Sequence, residues 1–265
     1  MHSNLANRAV GLGIMGFTDV LEKLSHSYES EEAYDLIDQL VEFISYYAID
    51  ESAELAKVHG SYPEYKGSGW SQGLLPIDTV ETLGQSRKLK VNVTRKSRMD
   101  WEALRKKVKK GMRNATVMAI APTANIGLVA GTTPGLDPQF AQIFSRSTLS
   151  GKFLEVNTNL VRDLKELGLW DEVKDELLAK QGDIQDIDVI PQHIKDVYKT
   201  SFQLSPYAFI EVAARAQKWV DQAISRNMYL ETRNIDDYVN IYMECWKRGL
   251  CLLYTSPSPR DRQKS

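Results

Sequence analysis

Cysteine is scarce in this chain of 265 residues: there are two, Cys245 and Cys251. Two thiols build no disulfide framework, which excludes the small secreted, disulfide-stapled classes and makes a reducing cytoplasm the expected setting. Histidine is scarce too. His2, His26, His59 and His193 are scattered at spacings that match no metal-binding motif. No Ser/His/Asp arrangement for nucleophilic catalysis can be read. Long apolar runs are missing, and a run such as Met118–Pro122 is far short of the roughly 20 residues that span a bilayer. Met1–Arg8 carries no apolar stretch behind a basic start, so no leader is expected. There is no internal repeat and no low-complexity segment. With 43% hydrophobic and 26% charged residues, the composition is that of an ordinary globular protein. The length suits one large domain or two small ones.

Charge is nearly balanced overall, at a formal net of -2, but unevenly placed. Twelve Lys and Arg fall between Arg87 and Arg113, opposed there only by Asp100 and Glu102, while Asp163–Asp188 is acidic. A basic block can serve nucleic acid. This one lacks interleaved aromatics, so a solvated loop and helix face is expected, with neither nucleic acid nor membrane as partner.

The apolar spacing predicts mostly helices. Asn4–Leu24 reads as a tightly packed helix despite its glycines. Ser30 caps a long amphipathic helix that runs to about His59 and stops at Gly60, with Glu31 and Glu32 favouring its dipole. Ser61–Gly73 is a loop. Gln85–Met99 is a connector with a short strand at Leu89–Val93, and Asp100 caps a helix over Trp101–Lys110 that ends at Gly111. Thr116–Ala121 is a short strand buried on both faces, ended by Pro122 and followed by a helix. Gly131–Pro138 is rich in turns. Phe153–Leu167 reads as a helix with Leu154, Leu160, Val161 and Leu164 inward, and Gly168–Ile190 as an acidic helical hairpin. Ser205 and Pro206 open a helix to about Ile224. Asn227–Glu231 suits a strand, and Asp236–Leu250 a last helix. Helices alternating with short apolar strands point to an α/β fold with a parallel sheet or barrel.

Two segments carry candidate chemistry. Gly11-Leu-Gly-Ile-Met-Gly16 fits G-x-G-x-x-G, the fingerprint of a dinucleotide oxidoreductase, but no apolar strand precedes it, and small residues inside a helix also allow close packing. The stronger signal is Thr116–Ala121 running into Pro122, Thr123, Ala124, Asn125 and Ile126. A strand that feeds a helix start leaves backbone N–H groups outward with partial positive charge, an arrangement that binds phosphate, with Thr123 and Asn125 as further donors. An ordinary helix cap accounts for the same residues equally well. Cys245, on the last helix, suits a buried position better than a reactive one.

Ala121-Pro-Thr-Ala-Asn-Ile-Gly-Leu-Val-Ala-Gly-Thr-Thr-Pro-Gly-Leu-Asp-Pro138 resembles the phosphate loop of the large, catalytic subunit of class I ribonucleoside-diphosphate reductase. Asn7–Asp19, Tyr46–Ala56, Gly69–Asp78, Trp101–Leu104, Arg113-Asn114, Leu149–Phe153, Val161–Val173 and Lys218–Ala223 resemble further blocks of that family, in order, over residues 1–250. The resemblance implies the C-terminal portion of a ten-stranded α/β barrel, helix-rich, in which Pro122, Thr123, Ala124, Asn125 and Ile126 hold the substrate's diphosphate. Asn125 and Ile126 stand where many members have Ser or Thr. It implies thiyl-radical reduction of ribonucleoside diphosphates for DNA synthesis, a homodimer, a small metal-containing radical subunit, thioredoxin or glutaredoxin as thiol reductant, and ATP or deoxynucleotide effectors.

In that family the catalytic cysteines lie upstream of the matching region, so the residues present are expected to bind no cofactor or metal and to be inactive alone. Residues 251–265 change character. Cys251–Asp261 resembles a translated cloning sequence, a transposase mosaic end plus adaptor, so 251–265 is expected to be a non-native tail. The alternatives are an adenosylcobalamin-dependent class II reductase, a nucleic-acid-binding module on residues 87–113, and a nicotinamide oxidoreductase.

Overall fold

The computed structural model describes residues 2–148, 151–180, 182–230 and 234–250, without side chains at 146–148, 152 and 153. Its helices are α1 (His2–Asn7), α2 (Phe17–Lys23), α3 (Glu31–His59), α4 (Gly69–Gln72), α5 (Thr79–Arg87), α6 (Trp101–Val108), α7 (Ala124–Ala130), α8 (Thr158–Glu166), α9 (Trp170–Ala179), α10 (Gln192–Val197), α11 (Pro206–Gln217) and α12 (Ile235–Lys247). Single 3-10 turns lie at Pro63–Tyr65 and Pro76–Asp78. Two strands, β1 (Ile143–Thr148) and β2 (Gly151–Val156), form an antiparallel hairpin with Ile143 opposite Val156. None of the described helices is long and apolar enough to cross a membrane.

Local chemistry sets the long helices. The Ser30 hydroxyl accepts from the Ala33 N–H at 3.2 Å, Glu31 and Glu32 sit in the first turn of α3, and Gly60 ends it at φ 77°. Asp100 caps α6 through the Ala103 N–H at 2.9 Å. Ser205 and Pro206 open α11.

The main core gathers the inner faces of α3, α6 and α11. There the rings of Trp101 and Trp219 stack at 5.1 Å. Buried polar groups tie the same seam together. Asp38 accepts from Lys218 Nζ at 2.9 Å and Trp219 Nε1 at 2.6 Å. Glu42 accepts from the N–H groups of Arg98 and Met99 and from Trp101 Nε1, all within 3.1 Å. A second apolar cluster holds Leu160, Leu164, Val173, Leu177 and Tyr198, and a third joins α11 to α12 around Ile241 and Cys245.

Several sequence expectations are corrected. Asn4–Leu24 is not one helix: α1 and α2 flank an extended stretch whose Leu12 makes a parallel bridge with Met118. Gly11 explains the break, because a Cβ there would lie 2.7 Å from that of Ala119, and at Gly13 2.3 Å from the Ala119 carbonyl oxygen. The glycines let two extended segments approach, rather than two helices. The helix read over Phe153–Leu167 begins only at Thr158. Phe153–Val156 belongs to β2, where Leu154 is 65% exposed rather than inward.

Leu89–Val93 forms no ladder; its N–H groups at Leu89 and Asn92 donate to the Gly84 and Lys247 carbonyls instead. The helix from Pro206 stops at Gln217 instead of Ile224, the Gly168–Ile190 region holds one helix and then turns, and 227–230 is not a strand. Glu231 and residues 251–265 lie outside the described residues. The helix-rich α/β class stands. Among the described residues, however, the sheet is a two-stranded hairpin plus one parallel bridge, with no closed barrel and no ten strands.

Candidate functional site

The Thr116–Ile120 segment is held on both sides. The Val10 and Leu12 N–H groups donate to the Thr116 and Val117 carbonyls, the Ala119 N–H to Leu12, and the Ser225 N–H to Ile120. Asp221 accepts from the N–H groups of Val117 and Met118 at 2.7 and 2.9 Å, and burial raises its carboxyl to about 6. The expected strand is therefore an extended run, buried at Val117, Met118 and Ile120, that delivers the chain to Pro122.

Pro122 and Thr123 make the turn. Thr123 caps α7 in the left-handed region, at φ 48° and ψ 29°, which is uncommon for a β-branched residue. Its hydroxyl does not cap the helix; it accepts from the Gly135 N–H at 2.8 Å. Its carbonyl accepts the Gly127 N–H at 2.7 Å. The N–H groups of Ala124, Asn125 and Ile126 therefore open the helix, and among the described residues they have no protein acceptor. The side chains of all three are exposed. Outward N–H groups of this kind suit an anion. With α7 seven residues long, the attraction comes from these local groups more than from a long helix dipole.

The return chain packs behind the loop. Gly127 is buried, and a Cβ there would lie 3.1 Å from the Thr132 carbonyl oxygen. Gly135, at φ 49°, would place one 2.9 Å from the Ala121 carbonyl oxygen. Asp19 of α2 accepts from both the N–H and the hydroxyl of Thr133. A cavity of about 330 Å³ lies on this side, lined among others by Asp19, Leu128, Thr133, Phe140, Phe144 and Asn157. Sequence reasoning missed Asp19, Thr133 and Gly135. A first-turn acid and a Thr in a turn-rich stretch give no signal until the fold brings them together.

The remaining candidates fall to structural roles. Gly11 and Gly13 are spent on Ala119, and Gly16, at φ 79°, starts α2. Cys245 is buried, and burial raises its thiol to about 11, which makes it a poor nucleophile. The histidines do not converge, and no group of three His, Cys, Asp or Glu among the described residues suits a metal ion.

The basic block divides. Arg98 pairs with Asp38 and Glu42, Arg105 with Asp78 and Glu102, and Lys107 with Asp50 and Glu54. Arg87 donates to the Trp246 and Leu250 carbonyls, and Arg113 to those of His59 and Gly60. These five are structural. Lys88, Lys90, Arg95, Lys96, Lys106, Lys109 and Lys110 face solvent.

The chain is similar to known proteins along nearly its whole length. The family model for the barrel domain of ribonucleotide reductase matches residues 1–255. The ribonucleoside-diphosphate reductase subunit alpha of Chlamydia pneumoniae is 45% identical over 255 residues, which is 95% of this chain and 24% of that protein. The large subunit of the enzyme from Caenorhabditis elegans is 37% identical over 251 residues, 94% of this chain and 30% of that protein. The large chain 2 from Saccharomyces cerevisiae is 35% identical, covering 94% and 28%. The chain thus spans about a quarter to three tenths of the length of these relatives.

Proposed function

Because the chain belongs to the ribonucleotide reductase family, matching its barrel domain, we propose that it forms part of a large subunit that reduces ribonucleoside diphosphates to deoxyribonucleoside diphosphates. The observation that carries this reading is the continuous match of residues 1–255, with 45% identity to a relative named for that reaction. Within it, Pro122–Ile126 holds the substrate's diphosphate. The N–H groups of Ala124, Asn125 and Ile126 face outward at an extended segment that runs into a helix, where α/β proteins place ligands. Asn125 supplies a side-chain amide where a hydroxyl is common in the family.

The contribution of these residues is binding and orientation. A diphosphate gripped by fixed backbone donors holds the ribose in one place, which lowers the entropic part of the barrier without making or breaking a bond. The bond chemistry is assigned to residues outside this chain: the cysteine that carries the thiyl radical, the cysteine pair that supplies electrons, and a carboxylate base. A small metal-containing radical subunit, thioredoxin or glutaredoxin, ATP or deoxynucleotide effectors and a second large subunit complete the assembly in this reading.

A chimera tests it. Residues 1–250 replace the matching segment of the Chlamydia pneumoniae alpha subunit, and reduction of a ribonucleoside diphosphate is assayed with that enzyme's radical subunit. Turnover within about tenfold of the parent supports the reading. A folded chimera that binds its partner yet neither binds nor reduces the diphosphate contradicts it. The 265-residue chain alone is expected to show no turnover.

A further inference from the structure

Asp19 lies outside the loop, in the first turn of α2, yet the loop hangs from it. Its Oδ2 accepts from the Thr133 N–H at 2.7 Å and from the Thr133 hydroxyl at 2.6 Å. The Gly16 N–H donates to the Thr133 carbonyl at 2.8 Å, so the start of α2 grips Thr133 through its amide, its hydroxyl and its carbonyl. Two residues on, the Gly135 N–H donates to the Thr123 hydroxyl at 2.8 Å. Thr18 adds a bond from its hydroxyl to the Asp137 carbonyl at 3.0 Å. The links run from α2 to Thr133, to Gly135, to Thr123. A left-handed conformation at a β-branched residue persists only where its surroundings impose it, and these contacts impose it at Thr123.

We propose that Asp19 is a positioning residue: through Thr133 and Gly135 it fixes Thr123, and so aims the N–H groups of Ala124–Ile126 at a diphosphate. The inference rests on the diphosphate reading above and adds the residue that sets the loop's geometry. It also gives a role to the G-x-G-x-x-G segment. Gly11 and Gly13 bring this extended stretch against Ala119, and Gly16 turns the chain into the helix that carries Asp19.

Geometry and charge predict opposite signs here. If Asp19 acted only as a nearby negative charge, its removal would tighten anion binding. If it positions the loop, its removal loosens binding. Asp19→Ala deletes the acceptor. Asp19→Asn keeps an oxygen in the same place without the charge, and Thr133→Ser keeps both donors.

The test titrates the full chain with inorganic pyrophosphate by calorimetry and follows amide exchange at Gly135 by NMR. Asp19→Ala is expected to weaken pyrophosphate about tenfold and to speed Gly135 exchange, while Asp19→Asn and Thr133→Ser stay within about threefold of the parent. Unchanged or tighter binding in Asp19→Ala overturns the inference, and so does an equal loss in Asp19→Asn. Should Asp19→Ala fail to fold, Thr133→Val removes only the hydroxyl donor and is expected to weaken binding about threefold; no loss there overturns the inference. A parent chain that binds no pyrophosphate overturns the diphosphate reading instead. In that case Gly135 exchange alone decides whether Asp19 holds the loop, and an unchanged rate in Asp19→Ala overturns that.

Discussion

The seam between α3 and α11 and the loop at the start of α7 treat polar groups in opposite ways. In the seam, buried charges are fully used: Asp38 is held by Lys218 and Trp219, and Glu42 by two backbone N–H groups, an indole and Arg98. In the loop, side-chain and backbone contacts hold the back, at Thr123, Thr133 and Gly135, while the N–H groups of Ala124–Ile126 face outward. The difference teaches where to look for function. A buried charge whose partners are all present does structural work, and a rigidly supported set of open donors is available for a ligand.

The largest way to break the comparison is at Asp38. Asp38→Ala leaves Lys218 buried without its carboxylate, and about 3–5 kcal/mol of stability should be lost, read by urea unfolding. If the folded variant still binds pyrophosphate like the parent, seam and loop are separate in function as in structure.

Next in size is a pH effect that belongs to neither region. Glu22 on α2 is buried, and burial raises its carboxyl to about 7, against the pull of amide donors from Asn159 and Asn157; Asp19 and Asp163 push it further up. A folded value above the unfolded one means stabilisation that is fully present below about pH 4 and is lost as pH rises through about 7. Unfolding free energy should therefore fall by about 3 kcal/mol over that window from this group alone. Asp221 adds a change of the same sign, because burial raises it to about 6. Glu22→Gln should flatten the profile. An unaltered profile in that variant removes Glu22 as its source.

Smaller effects sharpen the loop side. Gly135→Ala places a Cβ 2.9 Å from the Ala121 carbonyl oxygen at a positive φ, at a cost of about 1–3 kcal/mol, and should weaken pyrophosphate as well. At the small end, Ser30→Ala removes the α3 cap and should cost about 1 kcal/mol by urea unfolding, with pyrophosphate affinity unchanged.

What the sequence revealed follows from how local each feature is. α3, α6 and α11 were legible because Ser30, Asp100 and Ser205-Pro206 act within one turn. The start of α7 was legible for the same reason: Pro122 ends the extended run that leads to it. Asn4–Leu24 reads as one helix from its spacing because Gly11 and Gly13 answer to Ala119, more than one hundred residues away, and spacing alone cannot show so distant a neighbour. Phe153–Val156 of β2 reads as the start of a helix because Leu154 stands seven residues before Val161, on the same helical face, although the Leu154 side chain is exposed in the strand. The turn at Pro122–Thr123 could be read from the sequence, but its tie to Asp19 through Thr133 could not, because a single carboxylate gains its meaning only from the Thr133 it meets.

The central claim is that the open donors at Ala124, Asn125 and Ile126 hold a diphosphate. The most direct measurement is an NMR titration of the isotope-labelled chain with a ribonucleoside diphosphate, read at backbone amides. The account predicts saturable shifts centred on Ala124–Ile126 and reaching Gly135, with the α3 seam silent. Shifts confined to the exposed lysines of 88–110, or saturable binding that leaves Ala124–Ile126 unmoved, would contradict it.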